Sequence, residues 1–267
     1  MDNTDAIREY YNADVENEWS RIDGRPEFIL SCRFMNRYIR PGDRVLDIGG
    51  GPGRYSLYLA EKGCDVTLLD LSPVNVRFAL DKAAELGLPL HAVEGDARTA
   101  DQAVQGSFDH VLLMGPLYHL QTETDRTKAV VACLRLLKPD GKLYASFINL
   151  YSGLIYAMKH EPECVVDQSV QSLSYLNAIR DNRSFAGQLF THAFFVKPSE
   201  ILPFMAQFPL ETLHVFAQEG ILAPGEPNIM AQPQAIIDAW LDLSEILAQR
   251  EELHTMAEHL MYIGQKK

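Results

Sequence analysis

Apolar residues in the first forty positions fall at helical intervals. Ile7, Tyr11, Val15, Trp19 and Ile22 stand four, four, four and three apart, which predicts one amphipathic helix. A second helix is expected from about Glu27 to Arg40, stopped by Pro41-Gly42. The rhythm then changes to short apolar runs separated by helical stretches. Arg44–Ile48 reads as a buried strand followed by glycines, Arg54–Lys62 as a helix stopped by Gly63, and Asp65–Asp70 as a second strand. Ser72-Pro73 opens the next helix with an N-cap oxygen and a proline at the first helical position, and Gly87 ends it. Leu90–Val93, Phe108–Met114 and Lys142–Asn149 are the expected third to fifth strands, with a helix through Val130–Leu137 before the last. Such alternation calls for a parallel sheet covered on both faces.

Beyond Tyr151 the alternation breaks. Val170, Leu173, Leu176 and Ile179 are helically spaced, so 151–190 reads as a helical insertion. Ser199 is expected to cap a short helix with Pro203 in its first turn. Thr212–Glu219 is the sixth strand, a helix runs from about Pro233 to Glu252, and His259–Gln265 is the seventh strand. The expectation is an α/β fold: a seven-stranded, mostly parallel, doubly wound Rossmann-like sheet with helical lid additions. One domain covers 1–267, divided into a helical cap (1–40), a core (41–150), a lid insertion (151–190) and a part completing the sheet (191–267).

Composition narrows the function classes. With 47% hydrophobic and 22% charged residues, the 267-residue chain can bury a core. Its net charge of −12 opposes the clustered Lys and Arg of a phosphate-tracking surface, so nucleic acid is not an expected partner. The polar start MDNTDAIREYY lacks the regions of a signal peptide, and no apolar run approaches the ~20 residues of a membrane span. Cys32, Cys64, Cys133 and Cys164 show no CxxC spacing, which points to neither zinc nor a disulfide framework, and Cys133 reads as core. A cytoplasmic protein without membrane contact is expected.

The strongest chemical signal is VLDIGGGPGRYS, which sets Asp47, Gly49, Gly51 and Gly53 as D-x-G-x-G-x-G between a strand and a helix. Glycines serve where backbone turns tightly beneath a ligand, and the helix N-terminus behind them favours an anionic group. A dinucleotide fingerprint starting at Gly49 would want glycine or alanine in place of Arg54, and no G-K-[ST] follows. Here the chain resembles the class I S-adenosylmethionine-dependent methyltransferases. The resemblance covers about 41–150 in four ordered motifs, among them EGDA at 94–97, FDHVLLMGPLYHL at 108–120 and LLKPDGKLYASF. GPLYHL resembles a bacterial group of small-molecule methyltransferases.

The resemblance implies S-adenosylmethionine as cofactor, S-adenosylhomocysteine as product and a small-molecule acceptor. It places Asp47 and the three glycines under the methionine part, Asp70 on the ribose hydroxyls and Leu71 on adenine. It also implies that Asp96 holds the adenine amino group, Ala97 N–H a ring nitrogen, and Met114 a place beside the cofactor. From the residues alone, Asp47 also reads as a loop orienter, Asp70 as a solvated strand end and Asp96 as a helix cap. Asp70, 23 positions after Asp47, would suit NAD as well.

Methyl transfer needs alignment and a dry pocket more than a catalytic side chain. Tyr118 and His119 follow the fourth strand, where open α/β sheets place ligands; His119 reads equally as a general base or a packing residue. The resemblance implies that the N-terminal helix folds over the cofactor, which makes Tyr10, Tyr11 and Arg21 candidates on the substrate side. Tyr11 and Trp19 also share the apolar stripe and read as packing, whereas Tyr10 and Arg21 lie off it and reach either the site or water. Tyr151, Tyr156, Tyr175 and Met158 either line the pocket beneath the lid or form the lid's own core. His160, His192 and His214 lack ligand spacing, and Asp96 with Asp109 does not compose a magnesium site, so no metal is expected. Met114-Gly115-Pro116-Leu117 stands where enzymes of nucleic-acid bases and protein glutamine carry N-P-P-[YF], which argues against macromolecular acceptors. A non-catalytic binder of the same cofactor remains an alternative, as does a nucleotide-dependent oxidoreductase, which Arg54 and the Asp96 motif oppose. The acceptor, its attacking atom and the oligomeric state are not written in the sequence.

Overall fold

The computed structural model describes residues 4–189 and 191–267. Positions 1–3 of the expected cap and position 190 of the expected insertion lie outside them. Two helices, α1 (Thr4–Ala13) and α2 (Val15–Arg21), replace the single helix expected over the first stripe. Asp14 makes the break: at φ −151° it leaves helical geometry, and its carboxylate accepts the Asn17 N–H at 3.1 Å as the cap of α2. The next helix, α3 (Pro26–Met35), ends before the expected Arg40.

The expected alternation follows: β1 (Arg44–Ile48), α4 (Arg54–Glu61), β2 (Asp65–Asp70), α5 (Pro73–Leu86), β3 (His91–Glu94), α6 (Ala100–Ala103), β4 (Phe108–Leu113), α7 (Pro116–His119), α8 (Glu123–Leu136) and β5 (Leu137–Asn149). Ser72 caps α5 by accepting the Asn75 N–H at 3.1 Å, and Gly87 ends it at φ 66°. The C-terminal half comprises α9 (Ser152–His160), α10 (Val170–Arg180), β6 (Phe185–Gln188), β7 (His192–Val196), α11 (Pro198–Met205), β8 (Leu210–Ala217), α12 (Glu226–Met230), α13 (Gln234–Leu247) and β9 (His259–Lys266). Lys197 stands at the N-cap of α11 with Pro198 as its first residue, so Ser199 does not cap and Pro203 lies inside the helix.

The sheet has nine strands, two more than expected. The seven expected ones run β3-β2-β1-β4-β5-β9-β8, parallel except for β9, which is antiparallel to both neighbours. The additional pair is the β6–β7 hairpin, whose β7 joins the last two residues of β5 in parallel. It occupies the end of the segment read as helical: Phe185 and Phe195, too few residues to show a strand period, pack with Tyr175 as a separate apolar cluster.

Strand alternation sorts the core into two faces. Leu46, Ile48, Val111, Leu113, Leu143 and Ala145 pack with α8 and α11, and Cys133 is fully buried among them. Val45, Leu112, Tyr144, Met261 and Ile263 pack with α3 and α4 on the other side. Because β1, β2, β3 and β4 are parallel, the loops that follow them open at one edge, where a doubly wound sheet carries its ligand.

Candidate active site

A cavity lies at that edge, and it draws together loops from the whole N-terminal half. Gly49, Gly51, Asp47, Asp70, Leu71, Asp96, Ala97, Met114, Tyr118 and His119 all line it, as do Tyr11 and Arg21 from the cap. Gly53 and Tyr10 are not among the lining residues. Gly53 caps α4 from behind the loop at φ 92°. Tyr10 is 40% exposed and meets Tyr11 edge-on.

The glycine loop takes its shape from backbone and from Asp70. Gly49 has φ 72°, and a Cβ there would stand 2.6 Å from the Pro116 ring, so the loops after β1 and β4 touch only because no side chain intervenes. Gly51, at φ 57°, donates its N–H to Asp70 Oδ2 at 2.8 Å. Asp70 Oδ1 accepts the Ser72 N–H at 2.8 Å and Asn75 Nδ2 at 3.1 Å. Three of the roughly four lone-pair directions of this carboxylate are thus used by protein. Asp47 is buried, accepts Ser56 Oγ at 2.7 Å on Oδ2 and keeps Oδ1 without a partner. Burial, with the charge of Asp70 beside it, raises the Asp47 carboxyl to about 6, and burial raises Asp70 too. Neither carboxylate has an ion pair among the described residues. Tyr55 Oη and Asn75 Oδ1, both lining the cavity, are likewise buried without partners.

At the opposite wall, the Tyr11 hydroxyl and His119 Nε2 are 2.6 Å apart, and His119 Nδ1 lies 3.3 Å from the His192 carbonyl oxygen. A proton on Nδ1 directed at that carbonyl leaves Nε2 to accept from Tyr11. Burial pushes the imidazole down to about 4, so the ring is neutral at physiological pH. Burial raises the Tyr11 and Tyr118 hydroxyls, which stay protonated. Tyr11, on the apolar stripe, thus meets His119 in the cavity wall as well as packing.

The cap is fastened over the cavity by polar contacts. Arg8 Nε donates to Leu71 O at 3.3 Å, Ser72 Oγ to Asn12 Oδ1 at 2.6 Å, and Arg54 Nη2 to Trp19 O at 2.7 Å. Arg54 also lies 3.6 Å over the Trp19 ring, so the residue that breaks the dinucleotide fingerprint holds α2 in place. Among the described residues, none of 151–189 lines the cavity. Tyr151 and Tyr175 join the β6–β7 cluster, and Tyr156 and Met158 are exposed, so the expected lid lining is replaced by the cap.

Beside the Tyr11–His119 wall lies a charged group of which the sequence singles out Arg21 but not Glu27, Glu219 or His259. Arg21 pairs with Glu18 at 3.3 Å and Glu27 at 3.2 Å. His259 Nδ1 is 2.7 Å from Glu219 and 4.0 Å from Glu27. Against the cost of burial, these two carboxylates hold the imidazole up at about 9. Glu27, Glu219 and His259 bring ligand atoms within 4.8 Å of one another, a spacing that also suits a metal ion. Here Arg21, the imidazolium and the N–H groups of Glu258 and His259 face the carboxylates instead. Asp109 is far from this group in function: it binds Lys138 and the Arg44 N–H at the other end of β4.

Comparison with known proteins agrees with this geometry. Residues 45–141 match the family model described as "Methyltransferase domain". The ubiquinone biosynthesis O-methyltransferase of Xanthomonas axonopodis pv. citri is 37% identical over 147 residues, which cover 51% of this chain and 59% of the relative. Its counterpart in Xanthomonas oryzae pv. oryzae is 41% identical over the same shares, so the chain spans 59% of the length of these curated relatives. Among solved structures, the magnesium protoporphyrin IX methyltransferase of Synechocystis PCC 6803 with bound S-adenosylhomocysteine aligns at TM-score 0.58, with 16% identity over 98% of this chain and 99% of that one. An S-adenosylmethionine-dependent methyltransferase of Corynebacterium glutamicum aligns at 0.55, with 19% identity over 98% and 100%. Residues 45–141 thus match a methyltransferase domain, and the chain shares the Rossmann-like fold of these solved structures.

Proposed function

We propose that the chain binds S-adenosylmethionine in this cavity and transfers its methyl group to a hydroxyl of a small-molecule acceptor. The observation that carries the reading is the pair of buried carboxylates, Asp47 and Asp70, with no cation beside them. S-adenosylmethionine carries a sulfonium and an ammonium against one carboxylate, so it brings a net positive charge to two carboxylates that have no ion pair among the described residues. A pyrophosphate in the same place would meet two carboxylates, which opposes a dinucleotide. The choice of a hydroxyl and of a small acceptor rests on the relatives named O-methyltransferases.

In this reading the partnerless Asp47 Oδ1 takes the ammonium, and Asp70 presents its remaining lone pair to the ribose. Leu71 and Ala97 flank the adenine, and the loop of Gly49, Gly51 and Gly53 lies under the methionine part beside Met114. The bound cofactor supplies an electrophilic methyl group on sulfur. The chain aligns the acceptor and excludes water, with Tyr11, Tyr118 and His119 facing it. A neutral His119 adds no charge to repel a sulfonium, and it holds the Tyr11 proton so that the phenolic lone pairs turn into the cavity. Residues 1–40 act as the cap of one domain and 41–150 as its cofactor core.

Calorimetric titration with S-adenosylmethionine, S-adenosylhomocysteine and NAD tests the reading. The first two are expected to bind and NAD is not; preference for NAD, or binding of none, would reject it. The charge of Asp47 adds a pH signature. Its carboxyl is raised to about 6, so it is ionised above that pH and protonated below. Affinity for S-adenosylmethionine should therefore be full near pH 7 and drop about tenfold by pH 5. The drop should be absent from Asp47→Asn; an equal drop in that variant would assign it elsewhere.

A further inference from the structure

The adenine end of the cavity departs from the family resemblance, and the departure lies in one side chain. Asp96 caps the short turn Ala97–Thr99, its Oδ1 accepting the Arg98 N–H at 2.8 Å. The guanidinium of Arg98 then folds back over the same carboxylate. Its Nε stands 3.0 Å from each oxygen, and its Nη2 contacts Oδ2 at 2.5 Å. These contacts come from three N–H hydrogens, the Nε one shared between both oxygens, and they occupy most of the about four lone-pair directions of the carboxylate. The fork is charge-assisted and two-pronged, the strongest form a side-chain hydrogen bond takes in water-accessible protein. The same Nη2 donates to Thr4 Oγ1 at 2.7 Å, which ties the arrangement to α1 of the cap. Asp96, Ala97, Arg98, Leu71 and Thr4 together line this end.

We propose that Arg98 removes Asp96 from recognition of the base, so that the site holds a purine ring without reading its 6-amino group. The inference rests on the reading of the cavity as a site for S-adenosylmethionine. The amino group of adenine is a donor and needs an acceptor. The family resemblance implies Asp96 as that acceptor, and the Arg98 fork competes with the base for that carboxylate. A guanidinium offers only donors, so it does not take over the contact. What remains for the base is the apolar surface of Leu71 and Ala97, which fits a purine by shape. Asp96 serves instead as the anchor of Arg98, and Arg98 is a positioning residue that joins the loop after β3 to the cap.

S-inosylhomocysteine differs from S-adenosylhomocysteine by an oxygen in place of that amino group, and calorimetric titration with both tests the inference. The unaltered protein is expected to bind them with affinities less than about tenfold apart. Arg98→Ala releases Asp96, and the preference for the adenine form is expected to grow by about tenfold or more. In Asp96→Asn the two ligands should again bind alike. A preference of tenfold or more in the unaltered protein, abolished by Asp96→Asn, overturns the inference while leaving the cofactor reading intact. An unchanged preference in Arg98→Ala also overturns it. Failure of S-adenosylhomocysteine itself to bind rejects the cofactor reading, and this inference with it.

Discussion

Replacing Asp70 by alanine is expected to weaken S-adenosylmethionine binding by about 100-fold or more while the protein stays folded. Asp70 is the acceptor for the N–H groups of Gly51 and Ser72 and for Asn75 Nδ2. Each buried donor left without an acceptor costs about 1–3 kcal/mol, and the Gly51 N–H is the one that fixes the glycine loop. The substitution also removes one of the two negative charges that face the ligand. The folded state loses less than this count implies, because burial already disfavours the ionised Asp70 that is removed. Titration calorimetry alongside a thermal melt separates the two effects. Unchanged affinity would show that the cofactor loop does not depend on Asp70.

Lys159→Met is expected to cost about 3 kcal/mol of stability, lowering Tm by roughly 6–12 °C. The ammonium of Lys159, 5% exposed, pairs with Glu258 and lies 3.4 Å from Glu226. Methionine fills a similar volume but leaves both carboxylates buried without that cation. The Glu258 carboxyl, already raised by burial and by the charge of Glu219, would rise further, so the loss is full at neutral pH and recedes as pH falls and it takes up a proton. Thermal melts of both proteins at pH 7 and pH 5 check this. A Tm difference that does not narrow at pH 5 would locate the effect in packing instead.

The strands of the core were legible because each is a short apolar run closed by glycine, proline or a cap. The same holds for Asp47 and Asp70, the penultimate residue of β1 and the last of β2, which therefore sit at the edge where the loops open. What escaped was built by side chains acting across the chain. The break at Asp14 rests on one carboxylate bonding Asn17, while the apolar period runs through it undisturbed. Tyr11 fits its stripe whether it packs or meets His119, 108 positions away. The β6–β7 hairpin has only four and five residues per strand, too short for a period-two signal. Arg98 stands two positions after Asp96, and no pattern distinguishes a fork from a solvent-facing arginine.

The cap has a consequence for timing. α1 buries Ile7 alone and α2 buries no residue fully, so little apolar surface holds either helix down. Their fastenings are hydrogen bonds, the Arg21–Glu27 ion pair and one arginine over Trp19, and water replaces such partners at small net cost. Local unfolding of this segment therefore lies at the low end of the chain's stability range. Yet every fastening ends on a residue beside the cavity, so an occupant leaves only when several let go together. The residence time of a bound molecule is then set by the lifting of two weakly held helices. Under the proposed function, spent cofactor would depart at the pace of that motion, which would then be the ceiling on turnover whatever the speed of the chemical step.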